Sequence, residues 1–296
     1  VEFVEPALVV KMSWEPDDPQ YPNQTHYHAI NMASAWELSK GDPNVVVQVL
    51  DSGLDLAHED LQNNIWKNTQ THPTTGESEW PDNCNDGVDN DNNGYVDDCH
   101  GYNHADNTAG DASSGNYLGD GSHGTHCAGT IAADSNNSIG VAGVAGGNGS
   151  VGSGVSLMTS VGFGAINTGG FAEALLYGAD NGAQISSNSW GYLTAGFYNQ
   201  AELDAIDYYN EAGGIVVFAA GNDGTDEEWY PAYHEGAVAV AAVKDDGVRA
   251  YFSNYGDWIE ISAPGYPVLS TYTISEGSYG YMSGTSMACP HVSGVL

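Results

Sequence analysis

The sharpest pattern along the chain is a run with almost no polar interruption, Val45-Val46-Val47-Gln48-Val49-Leu50, closed by Asp51-Ser52-Gly53. β-Branched residues without helical or alternating period predict a strand buried on both faces, as in a parallel sheet. Asp51 therefore falls at the carboxyl end of a central strand, where open α/β sheets gather their functional groups. A second such run, Ile215-Val216-Val217-Phe218-Ala219-Ala220, enters the turn Gly221-Asn222-Asp223-Gly224. Two helices are predicted from small and apolar residues. His123-Gly124-Thr125-His126-Cys127-Ala128-Gly129 opens one, with His123 in its first turn. Ser283-Gly284-Thr285-Ser286-Met287-Ala288-Cys289-Pro290-His291 is a small-residue turn running into the other.

These patterns put an acid, a histidine and a serine each at the edge of a regular element. A serine hydroxyl becomes a useful nucleophile only with a base in reach and N–H donors aimed at the developing oxyanion. Taken alone, Gly-Thr-Ser reads as an ordinary helix cap. His123 and His126 form a His-x-x-His pair, but glycine stands where the zinc motif needs glutamate, so His126 reads as a packed helix residue.

In order and in flanking residues, Asp51-Ser52-Gly53, His123-Gly124-Thr125-His126 and Gly284-Thr285-Ser286-Met287-Ala288-Cys289-Pro290-His291 resemble the three signatures of the subtilisin-like serine proteases. The resemblance runs from about Pro16 to the last residue. It implies an α/β fold with a doubly wound, mostly parallel sheet flanked by helices, and an endopeptidase working through an acyl-enzyme. Ser286 would be the nucleophile, His123 the general base and Asp51 its orienting acid. Asn222, in Ala-Gly-Asn, would donate to the oxyanion beside the Ser286 N–H. Ile185-Ser186-Ser187-Asn188-Ser189-Trp190-Gly191 resembles the family strand that pairs with an extended peptide. Ser189, Trp190 and Gly191 would form one wall of the primary specificity pocket, and Ala219, Ala220 and Gly221 the other. Trp229 would lie near the floor, or else pack away on the surface.

Charge changes the picture of the surroundings. Asp and Glu number 39 against 5 Lys and Arg, a formal net charge of −34. So few ion pairs are available that divalent cations, high salt or both must offset the repulsion. Nucleic acid is disfavoured as a partner, because phosphate contacts need Lys and Arg. With 41% hydrophobic residues the chain still has the apolar content for one large core. No stretch is long and apolar enough to predict a membrane span.

Calcium accounts best for the carboxylates. In Cys84-Asn85-Asp86-Gly87-Val88-Asp89-Asn90-Asp91-Asn92-Asn93-Gly94-Tyr95-Val96-Asp97-Asp98-Cys99, the positions Asp89, Asp91, Asn93, Tyr95 (by its carbonyl) and Asp97 follow EF-hand spacing around Gly94. His100 stands where a full EF-hand has a bidentate glutamate. Cys84 and Cys99 bracket this insertion (residues 82–100), and a disulfide between them fits an oxidising, extracellular setting. Cys127 and Cys289 are expected near each other beneath the site, bonded or as two buried thiols. The family resemblance implies a second calcium site, from Asn137 with the carbonyls of Ser135, Ile139 and Val141, completed by Asp60 and Asp18. Residues 1–12 resemble the tail of a propeptide, which would be a partner of the catalytic domain, residues 13–296. That domain is expected to continue past Leu296, and maturation to cut between about Val9 and Trp14. Asn23, Asn136 and Asn148 open glycosylation sequons. The reading is a secreted, calcium-stabilised serine endopeptidase acting on peptides or proteins. The alternative is a non-catalytic homologue serving as an extracellular module.

Overall fold

The structure is a computed structural model that describes residues 14–109 and 122–296. The expected propeptide tail, residues 1–12, lies outside the described residues. Strand β1 (Val46–Asp51) forms where the β-branched run predicts it. It sits inside an eight-stranded sheet of order β3-β2-β4-β1-β5-β6-β7-β8. The other strands are β2 (Gly101–Asn103), β3 (Thr108–Ala109), β4 (Ser156–Val161), β5 (Ile185–Asn188), β6 (Ile215–Ala219), β7 (Ala237–Lys244) and β8 (Ile261–Tyr266). All neighbours pair in parallel except β2 with the short edge strand β3.

Alternation along each strand divides the core into two layers. Val47, Val49, Val217 and Ala219 point to one face, where they pack with Cys127, Ile131, Met287, Ala288 and Val292. Those partners belong to helices α3 (Ser122–Ala132) and α6 (Thr285–Val295). Leu50, Val216 and Phe218 point the other way, onto Leu175, Tyr177, Leu203, Ile206 and Tyr209. These come from α4 (Phe171–Asp180) and α5 (Gln200–Glu211). Helices on both faces of a mainly parallel sheet make the doubly wound α/β architecture expected from the sequence. Gln48, the one polar residue inside the β1 run, is fully buried. Its NH2 group donates to Ser160 Oγ at 2.8 Å and to the Ala174 carbonyl at 2.6 Å, which offsets part of the cost of burying it, while Oε1 has no hydrogen-bond partner.

Two short helices, α1 (Thr25–Ala29) and α2 (Met32–Ala35), lie within a segment whose Tyr21, Tyr27 and Trp36 form an aromatic cluster. A hairpin of β9 (Val268–Thr271) and β10 (Tyr279–Met282) covers α3. The chain from β4 to β5 crosses over β1, so the winding reverses beside β1 and a crevice opens above its carboxyl end.

Candidate active site

Asp51 ends β1 and His123 is the second residue of α3. They meet because the helix start comes down onto the turn after β1. A Cβ placed on Gly124 would lie 2.2 Å from the Gly53 carbonyl oxygen, so only glycine permits this approach. The Gly124 N–H donates to Ser52 Oγ at 3.2 Å and fixes the junction. His123 Nδ1 then lies 2.8 Å and 3.0 Å from the two oxygens of Asp51, whose Oδ1 also accepts the Ser52 N–H. The Asp51 side chain is 3% exposed and that of His123 38%, so a buried carboxylate orients a ring that reaches solvent.

Ser286 is the second residue of α6, at the positive end of the helix. Its hydroxyl donates to the Ser189 carbonyl at 3.2 Å. Pro290 explains how this helix start is held. Proline has no N–H, so the carbonyl four residues earlier, that of Ser286, loses its helical partner. Ser189 Oγ donates to it at 2.8 Å and Cys127 Sγ approaches it at 3.4 Å. Cys127 is one helical turn beyond His123, so both lie on the face of α3 turned to the start of α6. Asp51 and His123 thus meet directly, and the start of α6 that carries Ser286 is tied to α3 through Cys127.

Asn222 follows β6 beyond Gly221, whose φ of +97° only glycine adopts readily. The Thr285 N–H and hydroxyl both donate to Asn222 Oδ1, at 2.9 Å and 3.0 Å. With its oxygen occupied twice, the amide presents its NH2 outward. A Cβ on Gly284 would lie 3.6 Å from both Asn222 Nδ2 and the Ser286 nitrogen, so these two donors border one small space. Thr285 is the residue that sequence reasoning missed; its place beside Ser286 was the available signal.

A cleft of about 290 Å³ opens beside Ser286. Ser189, Trp190, Gly191, Ala219, Ala220, Gly221 and Trp229 all line it, together with Asn222. Trp229 is therefore part of the cleft and does not pack away on the surface. The ring of Trp190 stacks on Phe171 at 4.1 Å, so this residue contributes mainly backbone to the wall. Cys127 and Cys289 are two free, buried thiols. Burial raises both above the ordinary thiol range, which makes neither a nucleophile. His126 is buried on α3 with Nε2 at 3.1 Å from the Val268 carbonyl, and burial pushes it down to about 3.

The carboxylate clusters lie away from this cleft. Asn137 Nδ2 donates to Asp60 Oδ1 at 2.8 Å, and the Val141 N–H donates to Asp60 Oδ2 at 2.9 Å. Asp18 Oδ2 accepts the Asn136 N–H at 2.7 Å, on the same loop as Ser135 and Ile139. Burial pushes Asp18 up to about 6 and Asp60 up to about 8. Two such carboxylates without a cationic partner among the described residues are a donor set suited to a hard divalent cation.

In the acidic insertion, Cys84 and Cys99 are joined. The carboxylate of Asp89 accepts the N–H groups of Asn93 and Gly94, and that of Asp97 accepts those of Asp86 and Gly87. Asn93 Oδ1 accepts the Tyr95 N–H. Of the five positions expected from EF-hand spacing, Asp91 alone joins a converging trio of carboxylates. Its companions are Glu79 and Asp98, which lay outside that expectation. The Asn93 N–H is shared by Asp89 Oδ1 and Asp91 Oδ1, so Asp89 lies beside the trio without being one of its three carboxylates.

Fold and site geometry together are those of the class of serine hydrolases built on a doubly wound sheet. Residues 42–296 match the model of the subtilase family, and the chain belongs to that family of serine endopeptidases. It is 32% identical over 297 residues to a thermophilic serine proteinase of Bacillus sp. strain AK1, covering all of this chain and 62% of that protein. It is 34% identical over 295 residues to halolysin of Haloferax mediterranei, covering all of this chain and 49% of that protein. Thermitase of Thermoactinomyces vulgaris is 32% identical over 95% of this chain and 84% of its own length. A solved protease of Pseudoalteromonas arctica superposes with a TM-score of 0.70 at 28% identity, covering 94% of this chain and 85% of that one. The chain thus spans 62% and 49% of the length of the first two of these relatives. No described helix is long and apolar enough to cross a membrane.

Proposed function

We propose that this chain is the catalytic domain of a secreted, calcium-stabilised serine endopeptidase. The observation that carries the reading is the Asp51–His123 pair at 2.8 Å together with helix α6, which carries Ser286 as its second residue and clamps Asn222 through Thr285. Ser286 attacks the scissile carbonyl carbon, and His123 takes the hydroxyl proton. Asp51 fixes Nδ1–H of the ring and stabilises the imidazolium that results. As the carbonyl oxygen gains charge, Asn222 Nδ2 and the Ser286 N–H receive it. The amine leaves with the proton from His123, and water then releases the acyl group by the same steps in reverse.

An extended substrate pairs with the backbone at Ser189 to Gly191 and sets its P1 side chain in the cleft against Gly221 and Trp229. The indole shortens the cleft and favours small or medium P1 groups. Calcium, held at Asp60, Asp18 and Asn137 and in the acidic insertion, would neutralise buried carboxylates and fix loops. The extracellular relatives, including the Dichelobacter nodosus basic protease, support secretion, as does the joined Cys84–Cys99 pair. Asn23 and Asn148 are exposed positions for glycans. The propeptide remains the proposed partner in maturation.

The test is labelling by a fluorophosphonate, with peptide hydrolysis measured in parallel. Wild type should label and cleave, and Ser286→Ala should do neither. A folded, calcium-loaded protein that does neither is the non-catalytic homologue instead.

A further inference from the structure

The acidic insertion holds one feature that its EF-hand spacing does not explain. Glu79 lies before the disulfide ring, five residues ahead of Cys84, yet it is fully buried. Its Oε1 accepts the Asn90 N–H at 2.6 Å, while Oε2 has no hydrogen-bond partner. An unpartnered, buried carboxylate oxygen is costly unless a cation meets it. Asp98 is also fully buried and Asp91 nearly so. One carboxylate oxygen from each of these three residues lies within 4.8 Å of the others.

That spacing has a direct meaning. Calcium binds oxygens at about 2.3–2.6 Å, so oxygens around one ion are at most about 5 Å apart. Magnesium, at about 2.0–2.1 Å with a rigid octahedron, would need a tighter set. Asn68 and Asn93 each donate amide hydrogens to both Asp91 and Asp98, and Tyr177 donates to Asp98 at 2.7 Å. These contacts hold the two aspartates in place and leave Glu79 Oε2 open. The ion pairs among the described residues all lie elsewhere.

We infer that Glu79, Asp91 and Asp98 together hold one calcium ion, and that Glu79 is the ligand that closes the site. The inference rests on the reading of the insertion as a calcium loop and replaces its ligand set. The ion then ties together the segment carrying Glu79, the disulfide-closed loop and, through Tyr177, α4.

The experiment uses the whole chain in a Ser286→Ala background, which prevents self-digestion. Bound calcium is counted by native mass spectrometry, and thermal midpoints are measured with calcium and with chelator. Glu79→Gln should bind one ion fewer and lose part of the calcium-induced rise in Tm. With chelator its Tm should equal or exceed the parent's, because an unneutralised buried charge is gone. Asp89→Asn should keep the full ion count. An unchanged count and rise in Glu79→Gln overturns the assignment. So does loss of the ion in Asp89→Asn alone. If the parent binds no calcium, the broader calcium reading falls as well, which separates the two failures. Glu79→Asp, which keeps the charge on a shorter arm, should fold and bind that ion at least tenfold more weakly. Unchanged affinity in that variant overturns the assignment even if Glu79→Gln does not fold.

Discussion

At the scale of single residues, the site depends on side chains whose hydrogen bonds orient a neighbour. Asn222 is useful as a donor because Thr285 occupies its oxygen. Asn222→Ala should lower kcat by about 100- to 1000-fold with KM little changed, the cost of one oxyanion donor in the subtilisin case from which that magnitude is known. Steady-state kinetics on a peptide substrate check it. Trp229→Gly should open the cleft and raise kcat/KM for a large aromatic P1 residue relative to alanine by about tenfold or more, read from a P1 substrate series. An unchanged series would mean that the indole does not limit the pocket. The residues proposed to do the chemistry could be picked out in the sequence because each sits in a short motif at the edge of an element. Thr285 and Glu79 were not, since what each does depends on a partner distant in sequence.

At the scale of elements, α6 and α3 are joined through a carbonyl that the helix itself cannot use. Pro290 deprives the Ser286 carbonyl of its helical donor, and Ser189 and Cys127 take its place. Pro290→Ala should restore the helical bond, weaken the tie to Ser189 and lower kcat about tenfold, while Tm stays or rises, since an interior proline costs a helix roughly 3 kcal/mol. Kinetics and calorimetry on one sample separate the two effects. A second consequence concerns α1, α3 and α6, which bury His26, His126 and His291 together, the rings of His26 and His291 at 5.1 Å. Burial pushes His126 down to about 3 and His291 to about 4, from 6.5 when unfolded. Between those values the unfolded chain binds more protons, so stability is fully present above pH 6.5 and falls as pH drops toward 4. The slope is about 1.4 kcal/mol per histidine per pH unit. His291→Gln should flatten the acid limb of the Tm curve; an equally steep limb would refute the assignment. The central strands β1 and β6 were readable from β-branched runs, because burial on both faces leaves an unmistakable pattern. The three-residue β2 and the β9–β10 hairpin were not, because so short a run, or one as mixed as Tyr279-Gly280-Tyr281-Met282, has no period to read.

At the scale of the whole molecule, a formal net charge of −34 dominates. Self-repulsion on this scale is long-ranged, and salt shortens it from about 10 Å at 0.1 M to about 3 Å at 1 M. Calcium-loaded protein should therefore melt at a higher temperature as sodium chloride rises from 0.1 to 1 M, measured by calorimetry. A falling midpoint would show that surface repulsion is not what limits it. The sequence announced this charge at once but not where it is concentrated. Alternation in the acidic insertion suggested an ion encircled by its own loop. The fold instead draws in Glu79 from outside the disulfide, because chain reversal, and not spacing, decides which carboxylates meet.

The clamp of Thr285 on Asn222 joins α6 to the turn that follows β6. It gives the protein a matter of timing. Until α6 docks, the nucleophile is away from its base and the asparagine amide is free to rotate. On the proposed mechanism a half-folded chain would have the binding strand without the chemistry, and could not cut its unfolded siblings. During refolding, peptidase activity should return with the final tertiary signal and lag behind the recovery of helical content.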